Sequence, residues 1–161
     1  MNEFSIDVSS QVPSEMLEIN DSILIISSQE KAVSSSLGHQ LMVDHPHAEN
    51  RYKNANQNLT KLFQAMKDRD FNKWGEIIEK EAMELHGLMM TSSPWFCLMK
   101  PETIKVINLI KDFREQNKLP VYFTLDAGPN IHLLYPSNIK EEVQSFIKGN
   151  LVIHLENGLW F

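Results

Sequence analysis

At 161 residues the chain can form one domain with a buried core, or two only if both are small. Apolar residues at 42 % against 22 % charged exclude a disordered or fibrous chain. With 15 basic and 21 acidic residues the formal charge is -6, which argues against nucleic acid, whose backbone requires clustered positive charge. The longest uninterrupted apolar run, Trp95 to Met99, is too short to span a bilayer, and Met1 to Ile19 has no basic-then-apolar leader. Cys97 is the single cysteine, so no internal disulfide can form, and a reducing, cytoplasmic setting is expected.

The first residues, 1–17, read as a polar tail or edge segment, and 18–161 as the domain proper. Ser22 to Ser28 is a short run rich in β-branched residues and reads as a strand. Glu30 to His45 holds the cluster Val33-Ser34-Ser35-Ser36-Leu37-Gly38, whose hydroxyls suit the start of a helix, and Pro46 interrupts the run. Three long helical patterns follow. Leu59, Leu62, Phe63 and Met66 mark the first; Trp74, Ile77, Ile78, Leu85 and Leu88 mark the second, with Asp70 placed to cap it. The third starts at Pro101 and is expected to bury Ile104, Ile107, Ile110 and Phe113. Pro120 stops the helix, and Val121 to Leu125 and Ile131 to Tyr135 read as strands on either side of the turn Asp126-Ala127-Gly128-Pro129-Asn130. Ser137 opens a last helix with Glu141 and Glu142 in its first turns, Gly149-Asn150 ends it, and Leu151 to Leu155 reads as a final strand. This order predicts an α+β fold, a two-layer sandwich in which helices cover an antiparallel sheet.

The six glycines are scattered, so neither a dinucleotide fingerprint nor a Walker-type phosphate loop can be assembled from them. The turn after Leu125 is the most informative stretch. It sets a carboxylate at a strand's end, beside backbone that can approach a ligand closely at Gly128 and is stiffened at Pro129. Asp, Gly, Pro and Asn are also what any hairpin loop contains, so the residues alone leave both readings open. Ser34, Ser35 and Ser36 could offer hydroxyls and helix N-terminal amides to a phosphate, or could be one cap and two solvated serines. His39, His45 and His47 lack the one-face spacing of helical zinc ligands, so no metal site is expected. His86 reads as a satisfied, partly buried histidine, and Met83, Met89, Met90 and Met99 as gap-filling core.

Taken together these motifs resemble a known family. Val121-Tyr122-Phe123-Thr124-Leu125-Asp126-Ala127-Gly128-Pro129-Asn130 is similar to a signature of diphosphomevalonate decarboxylases, and Lys31-Ala32-Val33-Ser34-Ser35-Ser36-Leu37-Gly38 to their second-half serine motif. The path from Glu84-Leu85-His86-Gly87 to Thr91-Ser92-Ser93-Pro94 resembles a third block, all in family order over about residues 18 to 160. The family belongs to the small-molecule kinase superfamily of galactokinase, homoserine kinase and mevalonate kinase. The resemblance implies the ferredoxin-like C-terminal domain of that superfamily, with the ATP loop in an N-terminal half. It implies an ATP- and Mg2+-dependent lyase that converts mevalonate diphosphate to isopentenyl diphosphate, phosphate and carbon dioxide in isoprenoid biosynthesis. No cofactor is expected for this chain alone. Asp126 would be catalytic, Ser35 and Ser36 would lie near the substrate diphosphate, and Ala127, Gly128 and Asn130 would shape the pocket. Departures occur at His39, at Asp44 to His47 and at Ser36. The chain is expected to be inactive alone and to pair with an N-terminal ATP-binding half and with a second copy of itself. The alternatives are half of a mevalonate-type kinase, or a stand-alone domain that binds a metabolite or protein without chemistry.

Overall fold

A computed structural model describes residues 7–28 and 42–151. Three strands, β1 (Ile19–Leu24), β2 (Tyr122–Leu125) and β3 (Ile131–Pro136), form one antiparallel sheet in the order β1-β3-β2. Four helices accompany it: α1 (Ala48–Lys67), α2 (Phe71–Met90), α3 (Pro101–Asn117) and the short α4 (Lys140–Phe146). This is the predicted α+β architecture of helices on an antiparallel sheet.

Alternation along β3 explains its central place. Ile131, Leu133 and Tyr135 are buried, while His132 and Leu134 on the other face are partly covered. The main core joins that buried face to Val106, Ile107 and Ile110 of α3 and to Val143 and Phe146 of α4. Phe113 and Phe146 stack with ring centroids 4.2 Å apart. Leu134 turns instead toward a second cluster of Trp74, Tyr122, Ala65, Val12 and Met16. Within the segment read as a polar tail or edge, Val12 and Met16 are therefore buried, brought in by two 3-10 turns.

Helix α2 lies along β2. Gly75 makes this possible: a Cβ there would overlap the ring of Tyr122, so the helix reaches this close only with no side chain at that position. Glu79, one turn on, accepts the outward-pointing Phe123 amide and pairs with Arg114 of α3 at 2.7 Å. Arg114 donates in turn to the Val121 carbonyl and lies over the Tyr122 ring. The free side of β2 is thus occupied by side-chain partners rather than left as an open edge.

Several boundaries differ from expectation. The first strand ends at Leu24, not Ser28, because its partner β3 starts at Ile131, opposite Leu24; past that point the Ile26 and Ser27 amides bond to a side chain instead. The last helix begins at Lys140 after a 3-10 turn at Ser137–Ile139, and Gly149 lies inside a π-helical turn, Ile147–Leu151, rather than ending it. In α3, Ile104 is exposed and Val106 buried, because the face is set by Thr103, Val106, Ile107 and Ile110. Of the four methionines expected in the core, Met89 is buried, Met99 is partly buried, and Met83 and Met90 are exposed. Asp70 caps α2 as predicted, accepting the Lys73 amide at 2.9 Å. The serine cluster at 34–36, and the expected final strand past Leu151, lie outside the described residues.

Gly75→Ala tests the contact between α2 and β2. It should lower stability by about 1–3 kcal/mol through overpacking against Tyr122, read as a fall in urea midpoint; an unchanged midpoint would show that the helix can retreat freely.

Candidate active site

The predicted hairpin turn between β2 and β3 is held at four points. At its start, the Asp126 carbonyl accepts a hydrogen bond from His86 Nε2 on α2 at 3.0 Å and from the Gly128 amide at 2.8 Å. The Ala127 methyl packs into a small apolar cluster with Met42, Leu88 and Met89. At Pro129 the carbonyl accepts from Thr103 Oγ1 in the first turn of α3 at 2.8 Å, and the same hydroxyl accepts the Lys100 amide at 3.1 Å. At its end, Asn130 Oδ1 accepts both the Ile26 and Ser27 amides, at 2.9 and 3.0 Å. Backbone groups in a loop must find partners, and here buried side chains from α2 and α3 supply them.

The consequence is selective. Gly128 is buried, Ala127, Pro129 and Asn130 are partly buried, and Asp126 is exposed. A loop fixed by its main chain thus presents one carboxylate outward, at the C-terminal end of β2. Such a group can accept a hydrogen bond or a proton from a ligand hydroxyl. Two clefts elsewhere, of about 330 Å³ beside Asn58 and Glu81 and about 350 Å³ beside Arg69 and Ser137, do not border Asp126.

The residues proposed from sequence divide accordingly. Asp126, Ala127, Gly128 and Asn130 come together at this turn, whereas Ser35 and Ser36 lie outside the described residues. Gly128 has no left-handed backbone, since no described glycine has a positive φ. Asn130 spends its side-chain oxygen on the backbone just past β1, tying this turn to the start of the segment that carries the serines. Sequence reasoning missed Thr103 and Lys100. A threonine two residues after the first-turn Pro101 was the available signal for Thr103. Lys100 Nζ donates to Ser27 Oγ at 2.8 Å, bringing a cation to the same corner.

His86 is not partly but fully buried, at 1 % exposure, and it is half satisfied: Nδ1 has no hydrogen-bond partner among the described residues. Because a carbonyl can only accept, Nε2 carries a proton. Burial pushes its pKa below the usual histidine value, opposed by the hydrogen bond to the Asp126 carbonyl and by the Asp126 charge. His45 plays a parallel structural part, donating from Nε2 to the Thr91 carbonyl at 2.9 Å and accepting the His47 amide on Nδ1 at 3.1 Å. This pins residues 42–47 to the end of α2. Among the described residues no three His, Cys, Asp or Glu side chains converge to hold a metal, so these residues do not by themselves fit a magnesium site. No described helix is long and apolar enough to cross a membrane.

Two stability measurements follow from this geometry. Asn130→Ala leaves two amides without their acceptor and should cost about 1–3 kcal/mol, seen as a lower urea midpoint; no loss would mean water replaces the carboxamide. A histidine with a depressed folded-state pKa favours folding fully above its unfolded value near 6.5 and progressively less as pH falls below it. Stability should therefore drop more steeply between about pH 7.5 and 5.5 in the parent than in His86→Gln, whose other histidines are unchanged; parallel curves would remove His86 from the acid limb.

The family described as mevalonate 5-diphosphate decarboxylase C-terminal domain matches residues 22–157. Diphosphomevalonate decarboxylase of Danio rerio is 27 % identical over 128 residues, covering 76 % of this chain and 32 % of that protein. The crystal structure of a mevalonate diphosphate decarboxylase from Legionella pneumophila superposes with a TM-score of 0.83 at 29 % identity, covering 96 % of this chain and 47 % of that one. A structure of MDDEF in complex with MVAPP, AMPPCP and magnesium superposes with a TM-score of 0.79 at 26 % identity, covering 91 % and 44 %. The chain thus spans less than half the length of these relatives. With a match that runs through nearly all of its sequence, the chain belongs to the mevalonate 5-diphosphate decarboxylase C-terminal domain family.

Proposed function

We propose that this chain is the C-terminal half of an ATP-dependent decarboxylase that converts mevalonate diphosphate to isopentenyl diphosphate, with Asp126 as its catalytic carboxylate. The single observation that carries the reading is the exposed Asp126 side chain on a turn whose main chain is fixed by α2, α3 and the exit of β1. A carboxylate held this way keeps its position when substrate arrives, which is what general base or orienting chemistry requires.

In the reaction the γ-phosphoryl group of ATP passes to the tertiary hydroxyl oxygen of the substrate, whose proton Asp126 accepts or orients. The phosphorylated oxygen then leaves as inorganic phosphate. The carbon–carbon bond to the carboxylate breaks to give carbon dioxide, and its electron pair forms the new double bond. Ser35 and Ser36 are assigned to the substrate diphosphate, with Ala127, Gly128 and Asn130 shaping the pocket. Magnesium would supply charge neutralisation to the ATP phosphates when bound. The bound MVAPP, AMPPCP and magnesium of the related structure support this substrate set.

The reading also holds that turnover needs an N-terminal, ATP-binding half, as the greater length of the relatives suggests. The alternatives are half of a mevalonate-type kinase, favoured if phosphate transfers without carbon dioxide, and a stand-alone binding domain. A second copy of the chain is an expected partner, and the cytoplasm the expected setting. The chain alone should release no carbon dioxide from mevalonate diphosphate and ATP, and mixing with the matching N-terminal half should start release. In that mixture Asp126→Asn should cut turnover by about 10²–10⁴-fold. Turnover by the isolated chain would overturn the need for a second half, and full activity in Asp126→Asn would overturn the role of the carboxylate.

A further inference from the structure

We infer that His86 is a positioning residue for the reaction, fixing the direction of the Asp126 side chain by holding that residue's own carbonyl; this rests on the reading of Asp126 as catalytic. The geometry comes from helix register. Gly75, Glu79, Ala82 and His86 fall on one face of α2, since eleven residues make three turns. Those residues meet β2 in order: Gly75 against the Tyr122 ring, Glu79 at the Phe123 amide, and His86 at the Asp126 carbonyl. Eleven helical residues rise about 16 Å and four strand residues about 14 Å, so the two ladders stay in step from Tyr122 to Asp126.

A histidine is an expensive choice for a contact that is only structural. It is buried to 1 % exposure, its Nδ1 has no partner among the described residues, and its Nε2 bonds a carbonyl that already accepts the Gly128 amide. What the ring adds is a rigid donor from α2 at the most exposed residue of the turn. With Thr103 on the Pro129 carbonyl, both ends of the 126–129 turn are gripped from the interior. Rotation about the bonds flanking Asp126, which would swing the carboxylate away, is thereby opposed.

The test compares His86→Leu, which removes the donor, with His86→Gln, whose amide nitrogen can stand near Nε2. In the full chain, nitrogen-15 spectra of the parent should show His86 as the neutral Nε2–H tautomer. Amide exchange at Ala127 and Gly128 should accelerate about tenfold or more in His86→Leu and return toward the parent rate in His86→Gln. In the mixture with the N-terminal half, kcat should fall about 10²-fold in His86→Leu with KM within about twofold, and His86→Gln should regain most of it. An Nδ1–H tautomer, parent-like exchange in His86→Leu, or equal loss of kcat in both variants would overturn the inference. Should His86→Leu fail to fold, the tautomer and the behaviour of His86→Gln still decide it. If exchange responds as expected but Asp126→Asn leaves turnover intact, the reading of Asp126 fails, and the positioning role falls with it while the loop contact stands.

Discussion

Helix α2 can reach the turn after β2 only because it lies close against that strand over its whole length. The approach is set at Gly75, where the ring of Tyr122 occupies the space a side chain would take. Tyr122 is itself held by a hydrogen bond from its hydroxyl to Asn72 and by burial against Trp74 and Met16, and burial raises its pKa. Trp74 meets the same ring edge-on. Fixing one end of α2 fixes the other, since a helix of 20 residues is a rigid rod. His86 and the cluster of Leu88 and Met89 then arrive at Asp126 and Ala127 without needing further adjustment. The side of the domain that carries the carboxylate is therefore ordered from about three helical turns away.

The other helices serve the same end by different means. α3 begins at Pro101, and the first turn of a helix leaves backbone amides without internal partners. Thr103 takes the Lys100 amide there and passes its own proton to the Pro129 carbonyl, so one hydroxyl both caps a helix and holds a loop. Further along, Arg114 is shared between Glu79 and the Val121 carbonyl, which locks α3 to α2 and both to β2. Arg51 of α1 joins Glu81 of α2 at 2.8 Å, and Asn58 donates to the same carboxylate. These partly buried pairs do little for net stability, but each has one arrangement in which its partners are met, and that arrangement aligns the helices.

What the sequence made legible follows from the range of each signal. Helical periodicity, the Asp70 cap and the Pro101 start are local, and the structure has them where the spacing puts them. The turn from Asp126 to Asn130 is local too, as is its place between two strands. The end of β1 is not, because it depends on where β3 begins more than a hundred residues later. Ile104, expected inside, is exposed because α3 packs with Thr103 inward to serve the turn, a demand that hydrophobic spacing does not contain.

The same distinction separates the parts of the candidate site. Asp126 stands out in the sequence because carboxylate, small residues and proline sit side by side. His86 does not, since it lies 40 residues before the carbonyl it serves with nothing in its own neighbourhood to mark it, and Thr103, marked only by its place two residues after Pro101, lies 26 residues before the Pro129 carbonyl. A histidine within an amphipathic helix reads as core, and burial does place it there. Its Nδ1, unmatched among the described residues, is the feature that a purely packed residue would not keep, since a leucine or methionine of similar size would fill the space with no orphaned atom. A group retained at such a cost is best explained by the contact on its other nitrogen, and that contact ends on the one exposed residue of the turn. The fold and the carboxylate are thus two readings of one arrangement, in which the interior supplies hydrogen bonds to the main chain so that a single side chain can remain outside.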